Sequence, residues 1–221
     1  MTAILVLVTI ILAVALDVVL VKLGRRSVSV RAEQPEPMLE PKVPPGVFLS
    51  PNHAWLHLAT DGTVRMGADD FLCQLAGKVE GINVPPPGTQ VKAGRPLFSI
   101  RVAGREISVP APFPAEVIGS NPVLAEKPYL LERDPYGVGW IVSVWVRDLK
   151  EALKGLWIGA QSGAFLRREM ERLAEFLAMQ LNDGRAPVLA DSGLPIKGVL
   201  ATLDEDALRA FCLKFLQLKE G

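Results

Sequence analysis

The stretch "LFSIRVAGREISVPAPFPAEVI", Leu97 to Ile118, decides how this chain folds. Leu97 to Val102 and Glu106 to Val109 are short runs of β-branched and apolar residues, and the polar "VAGR" between them is a tight turn. Gly104 supplies the residue that enters positive φ without steric cost. Pro110, Pro112 and Pro114 then punctuate the chain before a third run, Ala115 to Ile118. The stretch therefore reads as a β-hairpin followed by a further strand. It holds no lysine, and none occurs anywhere between Lys92 and Lys127.

Outward from the hairpin, the same grammar continues from Val47 to about Val146. Ala54 to Leu58, Thr63 to Met66 and Trp140 to Val146 have strand character, while "PPPG" (Pro85 to Gly88) and "GTQVKAG" (Gly88 to Gly94) are turns. Many short strands at close spacing predict a small sandwich or barrel and not a dinucleotide-binding parallel sheet.

Four segments in this region resemble the glycine cleavage system H protein family, in that family's order. "NHAWL" (Asn52 to Leu56) is similar to its HEW strand, and "VRMGADDFLCQLAGKV" (Val64 to Val79) to its strand followed by a short helix. "GTQVKAGRPLFSI" is similar to the turn and strand before its lipoyl arm, and "DPYGVGWIVSVWV" (Asp134 to Val146) to its closing strand. The resemblance implies a lipoyl-type hybrid of antiparallel sheets. In the family an "ESVKA" hairpin carries lipoic acid on its lysine. Matching "PAPFPAEV" (Pro110 to Val117) to the family's following strand places Arg101 at the glutamate, Val102 at the serine, Ala103 at the valine and Gly104 at the lysine. Neither Gly104 nor the guanidinium of Arg105 can form the lipoyl amide. The turn is kept while its attachment amine is missing, so no cofactor is expected. Arg101, Gly104 and Arg105 become candidates for docking another subunit. Lys92, in the preceding turn, is the alternative attachment point if the chain is a carrier.

Composition narrows the functional classes. Twenty-four basic side chains balance 24 acidic ones, so no net field draws the chain to nucleic acid. Cys73 and Cys212 lie far apart and match no metal-ligand spacing; His53 reads as a member of a strand-end hydrogen-bond network, and with His57 it would share a strand face but lack further ligands. No metal site is expected, and both cysteines read as small apolar core residues. No nucleophile elbow, phosphate loop or dinucleotide fingerprint is present, so the chain is not expected to be an enzyme and shows no small-molecule substrate site.

The N-terminus carries a different signal. Ala3 to Val21, "AILVLVTIILAVALDVVLV", has the length and composition of a membrane-spanning helix in contact with the lipid bilayer, and only Asp17 within it is charged. About fourteen Leu, Ile and Val residues at roughly −0.3 to −0.6 kcal/mol each outweigh an off-centre Asp costing at most about +3 kcal/mol. Asp17 is a candidate intramembrane contact. Lys22, Arg25 and Arg26 follow directly, placing the N-terminus outside and the remaining residues on the cytoplasmic side of a single-pass inner-membrane protein. Arg31 to Pro51, with Pro35, Pro37, Pro41, Pro44, Pro45 and Pro51, then predicts an extended, semi-rigid spacer. Fifteen such residues span up to roughly 45 Å unless they lie along another protein.

The last third predicts two helices. Phe165, Leu166, Met170, Leu173, Leu177 and Leu181 mark one face, opposite Arg167, Arg168, Glu171, Arg172 and Glu175. "NDGRAP" (Asn182 to Pro187) stops this helix, and Thr202 to Glu205 forms a capping-box pattern that opens the second. In it Leu208, Phe211, Cys212, Phe215 and Leu216 share a face.

The expected architecture is α+β: an anchor (1–24), a Pro-rich linker (25–46), an H-protein-like domain (47–150) and a helical extension (151–221). The expected role is a non-catalytic, non-lipoylated accessory or scaffold subunit docked on other protein subunits of a membrane complex, of respiratory or other redox type. A lipoyl carrier modified at another lysine and a membrane-fusion-type adaptor are the alternatives.

Overall fold

Ten short strands and six helices build the part of the chain that the computed structural model describes, which comprises Met38, residues 40–182 and residues 195–218. All of these fall in one unit, Pro37–Gly221. The predicted span at residues 3–21, with Asp17, lies outside the described residues. Among those described, no helix is long and apolar enough to cross a membrane.

The strands are β1 (Phe48–Leu49), β2 (Ala54–Leu58), β3 (Val64–Ala68), β4 (Gly81–Asn83), β5 (Gln90–Val91), β6 (Pro96–Val102), β7 (Arg105–Pro110), β8 (Ala115–Ser120), β9 (Val142–Trp145) and β10 (Trp157–Ile158). The helices are α1 (Asp70–Ala76), α2 (Pro122–Glu126), α3 (Leu130–Arg133), α4 (Leu149–Ala152), α5 (Ala160–Asn182) and α6 (Glu205–Phe215), with a 3₁₀ turn at Val199–Ala201. A seven-stranded sheet runs in the order β10-β1-β2-β3-β9-β8-β5, and a three-stranded sheet in the order β4-β6-β7. Every pairing is antiparallel.

Period-two alternation fixes which side of each strand faces inward. Leu56 and Met66 are opposed across β2 and β3, Val144 pairs with Val117, and Ile100 with Ile107, all fully buried. One continuous hydrophobic cluster joins both sheets to the helices. Phe165, Leu166, Leu173, Phe176 and Leu177 of α5 enter it, as do Phe211 and Phe215 of α6. The C-terminal helices thus pack on the β core and on each other; the Phe176 ring of α5 meets the Phe215 ring of α6 edge-on at 5.7 Å.

Two details differ from the sequence reading. The residue capping α6 is Asp204, whose carboxylate accepts from the Ala207 N–H at 2.8 Å. Thr202 instead donates to the Val199 carbonyl and belongs to the 3₁₀ turn. The Pro-rich segment, read as a free spacer up to residue 46, already lies against the body at its described end. Met38 is 3% exposed and donates its N–H to the Pro195 carbonyl, and the Lys42 N–H donates to Asp70.

The "DPYG" motif shapes the loop ahead of β9. Asp134 accepts from the Gly137 and Val138 N–H groups, both at 2.9 Å, closing the turn on itself. A Cβ at Gly139 would sit 2.5 Å from the Asp134 carbonyl oxygen, so the position has room only for glycine. The loop lays Tyr136 against Trp55, and the Tyr136 hydroxyl accepts from the Asp70 N–H at 3.0 Å, tying β9's approach to α1.

Candidate functional site: the β6–β7 hairpin tip

Strands β6 and β7 register Val102 opposite Arg105, leaving Ala103 and Gly104 as a two-residue loop. Both take positive φ, 48° and 73°, the signature of a mirror-image turn whose twist matches the flanking strands. Ala103 bears the strain of that geometry, while Gly104 adopts it freely. Both are exposed, and a Cβ at Gly104 would meet nothing within 4 Å. The position that the sequence matches to the family's attachment lysine is therefore the solvent-facing point of the hairpin.

The tip is nonetheless held. The Gly104 N–H donates to the Glu80 carboxylate at 2.9 Å, and the Glu80 N–H donates to the Arg101 carbonyl at 2.8 Å, so the segment leading into β4 props the loop from one side. Arg101 is exposed and faces Glu106 across the strands at 3.7 Å, a surface pair worth at most about 1 kcal/mol. Arg105 departs from the reading that made it an exposed docking charge. Its guanidinium is half-buried and donates to the Leu203, Leu200 and Ala201 carbonyls at 2.6, 2.7 and 3.2 Å. Lys92 lies in the turn before β6, at the opposite end of a seven-residue strand, about 20 Å from the tip.

Away from the tip, at the start of β2, the structure assembles a charge cluster whose two carboxylates the sequence does not announce. His53 precedes β2 with φ 60°, which turns its ring into the core instead of onto the face of exposed His57. Its Nδ1 pairs with Asp69 Oδ2 at 2.8 Å, and its Nε2 lies 3.6 Å from Glu169 Oε2. The ring is sandwiched by Phe71 and Phe165, with centroids at 4.5 and 5.4 Å. Burial disfavours the charged ring, but the charge and hydrogen bond of Asp69, with Glu169 behind them, outweigh it and raise the His53 pKa to about 9. Burial likewise opposes ionisation of Glu169, yet His53 and Arg172 hold its carboxyl below the usual range. Asp69 also caps α1 through the Leu72 N–H. Sixteen residues separate His53 from Asp69 and 116 separate it from Glu169, so no local pattern could have announced the cluster. Among the described residues, no group of three His, Cys, Asp or Glu side chains is placed to hold a metal ion.

Against known proteins, the glycine cleavage H-protein family model matches residues 47–169, more than half of the chain. Glycine cleavage system H protein 2 of Aquifex aeolicus is 36% identical over 121 residues, covering 55% of this chain and 75% of the relative. A probable glycine cleavage system H protein of Pyrococcus abyssi is 32% identical over 128 residues, covering 58% and 95%. A crystal structure of a glycine cleavage system H protein from Mycobacterium marinum aligns with a TM-score of 0.48 at 24% identity, over 55% of this chain and 96% of that one. The family match takes in both sheets and the hairpin described above, and the chain belongs to the glycine cleavage H-protein family.

Proposed function

We propose that this chain is a membrane-anchored, non-lipoylated member of the H-protein family that works as an accessory subunit, docking on protein partners at the cytoplasmic face of a larger membrane complex. One observation carries the reading. The exposed point of the hairpin is Ala103-Gly104, and lysine is absent from residue 93 to residue 126. A lipoyl group is attached through an amide on a lysine amine, and glycine offers no side chain to receive it.

Three features support the rest. The turn geometry is kept although its reactive group is gone, which fits a hairpin retained for its shape. Residues 3–21 have the hydropathy of a span, and Lys22, Arg25 and Arg26 directly after it favour a cytoplasmic body under the positive-inside rule. The sequence holds no nucleophile elbow, phosphate loop or dinucleotide fingerprint, so the proposed role is docking and not catalysis. A redox or respiratory assembly is the class of partner complex that a cofactor-free relative of a redox carrier suits.

Purification from native membranes in mild detergent tests this. The chain is expected in the membrane fraction with a stoichiometric protein partner; a chain that migrates alone under those conditions, or that partitions with the soluble fraction, contradicts the proposal.

A further inference from the structure

Residues 195–203 cross the body from α1 to the hairpin tip, and each end of the crossing is fastened. At α1 the Gly198 N–H donates to the Gln74 carbonyl at 2.8 Å. The helix's C-cap Gly77 lies so close that a Cβ on it would stand 2.6 Å from the Gly198 Cα, so the two backbones touch where both residues are glycine. Between the ends, Val199 and Leu200 are fully buried. At the hairpin a single planar guanidinium, Arg105, donates to the Leu200 and Ala201 carbonyls of the 3₁₀ turn and to the Leu203 carbonyl just beyond it. Arg105 is also the residue that follows the tip, so the contact bears directly on the loop.

This crossing lies outside the segment that the family match covers. The family match ends at residue 169. The Pyrococcus abyssi relative is 95% covered by its 128-residue match, which leaves it too few residues to supply 195–203 and α6 as well.

We infer that residues 195–203 form a brace, pinned by Arg105, that closes the α1 flank of the hairpin and fixes the tip in place. Glu80 props the tip through the Gly104 N–H, and the brace holds it through the next residue, so the exposed loop is a rigid knob clamped between two parts of its own chain. A partner that reaches the α1 flank of a shorter relative meets residues 195–203 here. The inference does not depend on the membrane or scaffold reading.

Hydrogen–deuterium exchange on the full chain tests it, comparing wild type with Arg105→Ala and Arg105→Lys. Arg105→Ala is expected to speed exchange at the Ala201, Thr202 and Gly104 amides about tenfold or more, while β9 amides stay protected. Arg105→Lys is expected to fall between the two, because an ammonium reaches one or two of the carbonyls but lacks the fork. Unchanged exchange at residues 199–203 in Arg105→Ala overturns the brace. Faster exchange there with an unchanged Gly104 amide overturns the claim that the brace fixes the tip. Global loosening in Arg105→Ala, with β9 exposed as well, also counts against a local brace, and the Lys variant then checks that outcome on a fold less disturbed.

Discussion

His53 is the residue on which the described body depends most sharply. Its ring has no exposure to solvent, its two nitrogens face carboxylates from two different elements, and aromatic rings cover both faces. His53→Ala leaves Asp69 and Glu169 buried without their shared cation, which costs about 3–5 kcal/mol, readable as a lowered urea midpoint. The pH dependence follows from the sign of the shift. The imidazole titrates near 6.5 when unfolded and near 9 when folded, so its stabilisation is complete below about 6.5 and is lost as pH rises through about 9. Urea midpoints measured from pH 6 to pH 10 should fall over that window, by up to about 3 kcal/mol in free energy, and a His53→Ala chain should lack this component of the fall. At the tip, Gly104→Lys finds open space for its side chain but must hold φ near 73°, so it should fold with a loss of about 1 kcal/mol. A larger loss in thermal unfolding would mean that the tip is packed in a way its exposure denies.

Among the elements, the hairpin was the most legible, because "VAGR" between two β-branched runs leaves little choice of turn, and β6 and β7 formed within one residue of their expected limits. Strand β2 matched as well, Ala54–Leu58 in both readings. The two-residue strands β1, β5 and β10 were not legible, since two residues carry no period and their pairing is decided by distant neighbours such as Trp157 opposite Leu49. The last helix shows how a motif can mislead locally. Thr202 fits a capping box three residues before Glu205, but Asp204 is the better acceptor and starts the helix two residues later. Asp204→Ala should therefore cost about 1 kcal/mol in a denaturant melt, and Thr202→Ala distinctly less. Equal costs would restore the capping box. In the loop before β9, Gly139→Ala forces a Cβ against the Asp134 carbonyl and should destabilise by about 1–3 kcal/mol.

For the molecule as a whole, the family architecture was readable because its signatures are local and occur in order. What was not readable is how the C-terminal third joins the body. The helical faces of α5 and α6 were plain from their spacing, but their partners were not. Glu169 lies on the inward side of α5 among apolar residues and binds His53 across 116 positions, and Arg105 reaches carbonyls 95 to 98 positions away. Contacts of that sequence separation are set by packing and leave no trace in a short window. Together they make the extension part of the same core as the sheets. The proposed role rests on the tip of that body carrying no arm. The most direct measurement is the intact mass of the full chain isolated from its native membranes. The account predicts the mass of the unmodified chain; a mass raised by a lipoyl group, on Lys92 or on any other lysine, would make the chain a carrier and contradict it.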